Sequence, residues 1–549
     1  MKFSSTIMWL VVLCCMIAMP VVAQDYLDVP QGFETLNLAV EGDTTATGDP
    51  VSENRVYRLE RGGFYLLNGA IQNSKGSTFR LEAAEGDGPL PVIIPAADEA
   101  GSADRAFKLK TDATLKHVYV SGIDNLGNQA TKNMLRIEKE GGRYVVDGCF
   151  LDHDAQSFVR MNSENQKLFV KNTIMRNSIL LANPGNGRFI DTRGNTQDTI
   201  MVQNSTFYLC SSSALRDGSG IIRNAIFDHV TLYQSGGELS FDKGLNVTVK
   251  NCLMIDMEWE GDVEPSDPAA ALADSLEEEL IESDSLNAPE LMTDAERMFT
   301  VKNNVYGWSP EVEAFFAGID TVQKPVLFDA RIQRFFDTYE NWVAEDNIEE
   351  FVQFSDPPPP SNVVTFAQHR HSTKFSDENN PDPRADRNGI VALSEDPTSV
   401  GPAEDEFDFD YNTDAQAYTF AEGGFPVGDL NWFPGKKAEW EAWIETSVFD
   451  QSDKQPSAFN LDQNYPNPFN PTTTIDYRLS HSSQVELAVY NMLGQKIRTL
   501  VSDKIQAVGT HSVQWDGRDD NGAQVASGIY IYQLTTGNQV ETRKMTLMK

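Results

Sequence analysis

Cysteine is scarce in this 549-residue chain, and two of the five fall in the apolar leader described below. That leaves Cys149, Cys210 and Cys252, an odd count that does not make a disulfide framework. Basic side chains are also few: 44 Lys and Arg against 81 Asp and Glu give a formal net charge of -37. This excludes a nucleic-acid binder, which requires a basic footprint. Any polyanionic ligand would need a local basic patch or a bridging cation. Beyond residue 19 no apolar run approaches the roughly 18 residues of a membrane span. A phosphate-cradling glycine loop, a nucleophile elbow, a dinucleotide fingerprint and a zinc-ligand spacing are all missing.

What is present begins with Lys2, an apolar run from Ile7 to Met19, and Val21 and Ala23 before Gln24. This is the pattern of a secretory signal peptide over residues 1–23. Further on, the triplet "VKN" occurs at 170–172, 249–251 and 301–303, each time followed by a small or polar residue and then apolar ones. Aligning on it brings out related segments whose bend position is His117, Gly148, Asn172, Asn204, His229, Asn251 and Asn303. Gly takes positive φ freely, and Asn and His are among the residues enriched there. The pattern predicts a short strand, one left-handed residue and a second short strand. The bends are 31, 24, 32, 25, 22 and 52 residues apart. Short strands recurring at such a period predict a solenoid of stacked coils. Helical repeats are excluded because the apolar runs are too short and too β-branched.

These segments resemble the right-handed parallel β-helix, the fold of pectate lyases and of many extracellular polysaccharide-active proteins. The fold class expected is therefore all-β, with the β-helix and its N-terminal cap over residues 24–308. In this register Cys149 and Cys252 fall in a column of small residues four coils apart. At about 4.8 Å per coil that is too far for a disulfide and points to buried structural thiols.

The longest gap contains residues 256–297, with fifteen acidic side chains and one Arg. Leu272, Leu276 and Leu280 recur at a helical spacing there, and a solvated excursion or a Ca²⁺ loop fits such a segment. Residues 309–355 read as helices closing the solenoid. Residues 356–455 read as a Pro- and Asp-rich irregular extension, in which His369, His371, Asp386, Asn388 and Gly389 leave ligand sets incomplete. Residues 456–549 hold about seven strand candidates between Gly, Asn and Asp turns, the pattern of a small β-sandwich. They also resemble the C-terminal sorting domain of the type IX secretion system, through "NYPNPFNP" (464–471), Val489-Tyr490-Asn491, Leu493-Gly494, Trp515-Asp516-Gly517, Ser527-Gly528-Ile529-Tyr530, Lys544-Met545 and Lys549. That resemblance implies export across the outer membrane and secretion to the surface or the medium, with the secretion machinery as a partner.

The paired-Asp, G-H-G and R-I-K motifs of polygalacturonases are absent. Lyase chemistry on an acidic sugar needs a cation at the carboxylate and a Lys or Arg at the α-proton, supplied by neighbouring coils. One column fits: Arg160 in "SFVRMN", Arg188, Asp191 and Arg193 in "RFIDTRGN", Arg216 and Asp217 in "ALRDGSG", and Asp242 and Lys243 in "LSFDKG". Asp191, Asp217 and Asp242 are candidate Ca²⁺ ligands. Arg193, Arg216 and Lys243 are candidate catalytic bases, and Arg160 and Arg188 candidate substrate clamps. The bland alternative is a solvated ladder of ion pairs. Trp432, with Phe433, Trp440 and Trp443, offers a stacking platform for sugar rings, or else packing of an end cap. The function expected is binding of extracellular polysaccharide; a Ca²⁺-dependent polysaccharide lyase and a purely structural surface protein are the alternatives.

Overall fold

The computed structural model describes residues 24–45, 51–73, 78–130, 132–179, 181, 186–259, 279–286, 292–319, 322–373, 381–384, 407–450, 460–479, 483–491, 495–506, 509–520, 522–536 and 539–548. The expected signal peptide, Leu272 and Leu276 of the acidic insertion, and Asp386, Asn388 and Gly389 lie outside the described residues.

The N-terminal two-thirds is a parallel β-helix with three sheets. In sheet 1, Lys167–Lys171 lies beside Arg143–Asp147 on one side and residues 199–203 on the other. Sheet 2 follows the bend, with Ile174–Ser178 beside Phe150–Asp154. Sheet 3 comes next, with Arg188–Asp191 beside Ser157–Met161. Two long strands, Gln197–Arg216 and Ile221–Ser240, run through all three sheets.

Each of the seven bend residues has positive φ, from 45° at Asn204 to 64° at Gly148. The repeated triplet works by side-chain direction. Val170, Val249 and Val301 are fully buried, their lysines point outward, and the asparagines turn the chain. Asn172 Nδ2 donates to Asp147 Oδ1 (2.8 Å) and Asn251 Nδ2 to Asp228 Oδ1 (2.8 Å), so each bend is tied to the coil before it. A second file of left-handed residues, His153, Asn177, Leu209, Gln234 and Asp256, turns sheet 2 into sheet 3.

Cys149, Cys210 and Cys252 are free and buried, and burial pushes the first two thiols up to about 12. The small-residue column bonds coil to coil: Thr173 N–H donates to Ser205 Oγ (3.2 Å) and Cys252 N–H to Asn304 Oδ1 (2.8 Å). Inside, Phe158, Phe189 and Phe207 stack along the axis at 6.1 and 5.1 Å.

Helix α1 (Thr35–Gly42) buries Leu36 and Val40 at the first end. At the other end, residues 309–355 supply α2 (Pro310–Gly318) and α3 (Ala330–Thr338). They also supply one further coil, Trp342–Glu345 and Ile348–Glu349, with its own left-handed bend at Asp346. Trp342 stacks flat on Phe299 at 4.7 Å. The single basic residue of the acidic insertion, Arg297, is fully buried. It donates to the carbonyls of Gly244, Asp284 and Asp242, pairs with Asp294 at 3.0 Å and lies over Trp342. It thereby fastens the point where the insertion rejoins the coil.

The extension lies against sheet 2. Phe354 and Phe409 meet Tyr233 and Tyr208 at 5.4 and 5.0 Å, and α4 (Pro360–Thr373) packs Phe366 on Trp259. Asp429 accepts from Thr206 Oγ1 (2.8 Å), and α5 (Pro434–Asp450) sets Trp440 against His229. The C-terminal unit is a sandwich of two antiparallel sheets, of three and four strands, with its own core around Tyr477, Leu487, Trp515, Tyr532 and Met545. Trp515 and Met545 of the sorting-domain pattern are buried core residues.

Candidate functional site

Sheet 3 carries the charged column. Three of its strands carry an apolar–charged–apolar triplet, "FKL", "LRI" and "VRM", whose middle side chain faces away from the core while its neighbours enter it. Successive coils place Lys108, Arg136, Arg160, Asp191 and Arg216 in register. Ser240 continues the file because Leu215 pairs with Leu239, and Glu282 follows Ser240. Neighbouring members are about 4.8 Å apart along the axis.

Around this file the structure gathers most of the residues singled out from sequence. Arg160 donates to Gln156 Oε1 at 3.0 Å, and burial together with the nearby Arg193 charge lowers its pKa. Arg188 is 8% exposed and sits 3.9 Å from Asp191; burial and the Arg216 charge lower its pKa. Asp191 accepts the N–H of Arg193 (2.9 Å), which holds that residue in a left-handed bend with its side chain exposed. One carboxylate thus stands among Arg160, Arg188, Arg193 and Arg216. Among the described residues, Arg160, Arg193, Arg216 and Lys243 make no ion pair within 4.0 Å.

The other acids lie to one side. Asp217 is 1% exposed and its oxygens accept from the N–H of Ser219 (2.9 Å), the hydroxyl of Ser240 (3.3 Å) and the N–H of Lys243 (3.5 Å). Burial, reinforced by the Asp242 charge, pushes its carboxyl up to about 7. Asp242 lies beside Glu282, whose carboxyl is pushed up to about 8 by burial and by Glu238 and Asp242. Among the described residues no three His, Cys, Asp or Glu side chains converge as a metal site.

Trp432 is on the other side of the solenoid. Its Nε1 donates to Thr206 Oγ1 at 2.7 Å and its ring rests on Phe409, so it serves the packing of the extension on sheet 2. Lys108, Arg136, Glu238 and Glu282 belong to the sheet-3 file or its margin but were not among the sequence candidates. The signal was available for the first two, since "FKL" and "LRI" repeat the apolar–charged–apolar form of "VRM".

Fold and site define a parallel β-helix protein with an axial charge ladder, followed by a β-sandwich. The family model for the FlgD Ig-like domain matches residues 469–539, within the sandwich. No curated protein matches the chain. A solved structure of PorZ, described as an essential bacterial surface component of the type-IX secretion system of Porphyromonas gingivalis, matches at 17% identity and a TM-score of 0.13. That match covers 18% of this chain and 13% of PorZ. No helix among the described residues is long and apolar enough to cross a membrane.

Proposed function

We propose that this is an exported β-helix protein that binds an acidic extracellular polysaccharide along sheet 3, with residues 456–549 as its address for type IX secretion. The observation that supports the reading is the set of cations Arg160, Arg193, Arg216 and Lys243, which have no ion-pair partner among the described residues although the chain carries 37 excess negative charges. In so acidic a chain, a cation would be expected to find a carboxylate unless it serves another anion. Stacked coils lie about 4.8 Å apart, comparable to the length of one sugar ring; Lys108 and Arg136, which share Glu138, and Arg160 occupy three successive coils and Arg216 lies two coils beyond Arg160, so a chain with one carboxylate per ring could meet cations at whole-ring intervals. Guanidinium groups suit carboxylates because they present paired donors. Export is supported by the leader pattern of residues 1–23 and the sorting-type motifs of the sandwich.

The test is calorimetric titration with pectate, alginate and chondroitin beside neutral glucans, with and without Ca²⁺. Acidic polymers are expected to bind with strong salt dependence, and Arg160→Ala with Arg216→Ala to lose about tenfold each, or about 1.4 kcal/mol. Equal binding of neutral glucans, or unchanged affinity in both variants, would overturn the reading. Absorbance from newly formed unsaturated ends would replace it with a lyase.

A further inference from the structure

The ladder on sheet 3 changes sign along its length. Lys108, Arg136, Arg160 and Arg216, interrupted once by Asp191 between the last two, give way within two coils of Arg216 to Glu282, with Glu238 and Asp242 at its side. Glu238 accepts from Ser213 Oγ at 2.8 Å and bears on Arg188, so the acidic margin abuts the cationic one. Glu282 is faced by Glu238, Asp242 and Glu279, by the hydroxyl of Ser240 and, from α3, by Arg331. Asp242 is faced by Glu282, Asp284, Asp217, Lys243, the buried Arg297 and, from α3, Arg331. Arg331 is shared with Glu279 at 3.0 Å and Asp284 at 3.9 Å. Residues 260–278 carry seven acidic and no basic side chains.

We propose that Glu238, Asp242 and Glu282 form an end-stop to the glycan site, confining an anionic chain to the five coils from Lys108 to Arg216 and yielding when Glu282 takes up a proton. The inference rests on the acidic-polysaccharide reading above. Its physical basis is that like charges separated by one coil repel, strongly where the surroundings are partly buried and weakly once one of them is neutral. Burial and repulsion by Glu238 and Asp242 push the Glu282 carboxyl up to about 8, so the stop weakens between mildly alkaline and mildly acidic pH. Five coils span four steps, roughly 19 Å, so the confined site takes about five rings.

The probe is a set of oligogalacturonates of two to eight rings, whose own carboxylates stay ionised at pH 6 and at pH 8.5, titrated into the full chain at fixed ionic strength. At pH 8.5 affinity should rise with length and level off near five rings; at pH 6 it should keep rising to eight. The double variant Glu238→Gln, Glu282→Gln should show at pH 8.5 the length dependence of the unaltered chain at pH 6. It should gain about tenfold for eight rings and nothing for three. A thermal scan confirms that the variant is folded, and Asp242→Asn gives an independent variant at the same margin. Unchanged plateaus in both variants, with short oligomers still bound, overturn the end-stop alone. Failure of every length to bind overturns the polysaccharide reading and the end-stop with it.

Discussion

Asp217 offers the sharpest test of how this solenoid tolerates buried charge. Its carboxyl is held at about 7 against an ordinary value of 3.8, chiefly by burial. The folded state therefore keeps a proton that the unfolded chain has already lost between those two values. Stability must fall as pH rises through that window, and the full deficit is present above pH 7. A shift of about three units corresponds to a ceiling on the order of 4 kcal/mol. Asp217→Asn removes the charge and keeps an oxygen for the Ser219 N–H and the Ser240 hydroxyl, both of which bond the same Oδ1. It gives up only the 3.5 Å contact to the Lys243 N–H, which costs about 1 kcal/mol. The variant should then be about 1 kcal/mol less stable than the unaltered chain at pH 3, below the window, and about 3 kcal/mol more stable at pH 9. Differential scanning calorimetry at the two pH values reads this as a change of sign in the shift of the solenoid transition. Asp154, Asp256 and Glu282, which are also pushed up, titrate in both proteins and cancel in the difference. The same loss of stability at both pH values would refute the reasoning.

Two further substitutions probe the architecture. At Gly148 (φ 64°) an added Cβ would lie 2.3 Å from Cδ2 of His117 in the neighbouring coil, so Gly148→Ala should destabilise by about 1–3 kcal/mol, read as a lower thermal midpoint. Trp432→Ala should destabilise by about 2–3 kcal/mol through the lost Phe409 and Thr206 contacts, while affinity for acidic polysaccharide stays unchanged. Weaker sugar binding with an unchanged midpoint would return Trp432 to the ligand.

The bends were legible in the sequence because one backbone requirement recurs at one place in each coil, and few residue types meet it. The eighth bend at Asp346 was not, because it sits in "NWVAEDNIEE", where aromatic and acidic residues after a helical stretch mask a four-residue strand. Nor was the second file of bends: Leu209 at φ 58° is fully buried, and nothing local marks a leucine for a left-handed conformation that only the stacked coils on either side enforce. The extension shows a related limit. Its aromatic residues offer both a platform and, the more common use, packing, and only the partners on sheet 2, 200 residues away in sequence, decide between them.

For the charged face, what sequence supplied was composition, and what it lacked was phase. Arg160, Asp191 and Arg216 each follow an apolar residue at a strand's centre, so their outward direction could be read; that Lys108 and Arg136 continue the file, and Glu282 ends it, depends on pairing between strands of two to five residues. A slip of one residue in any of these would turn its charge into the core and its apolar neighbour out. The left-handed bends hold that phase, since each fixes where sheet 2 begins and hence how many residues remain before sheet 3. The residues that look most architectural therefore determine whether the cations of successive coils line up at all, and a change at a bend should disturb binding even though it lies a full sheet away from the ladder.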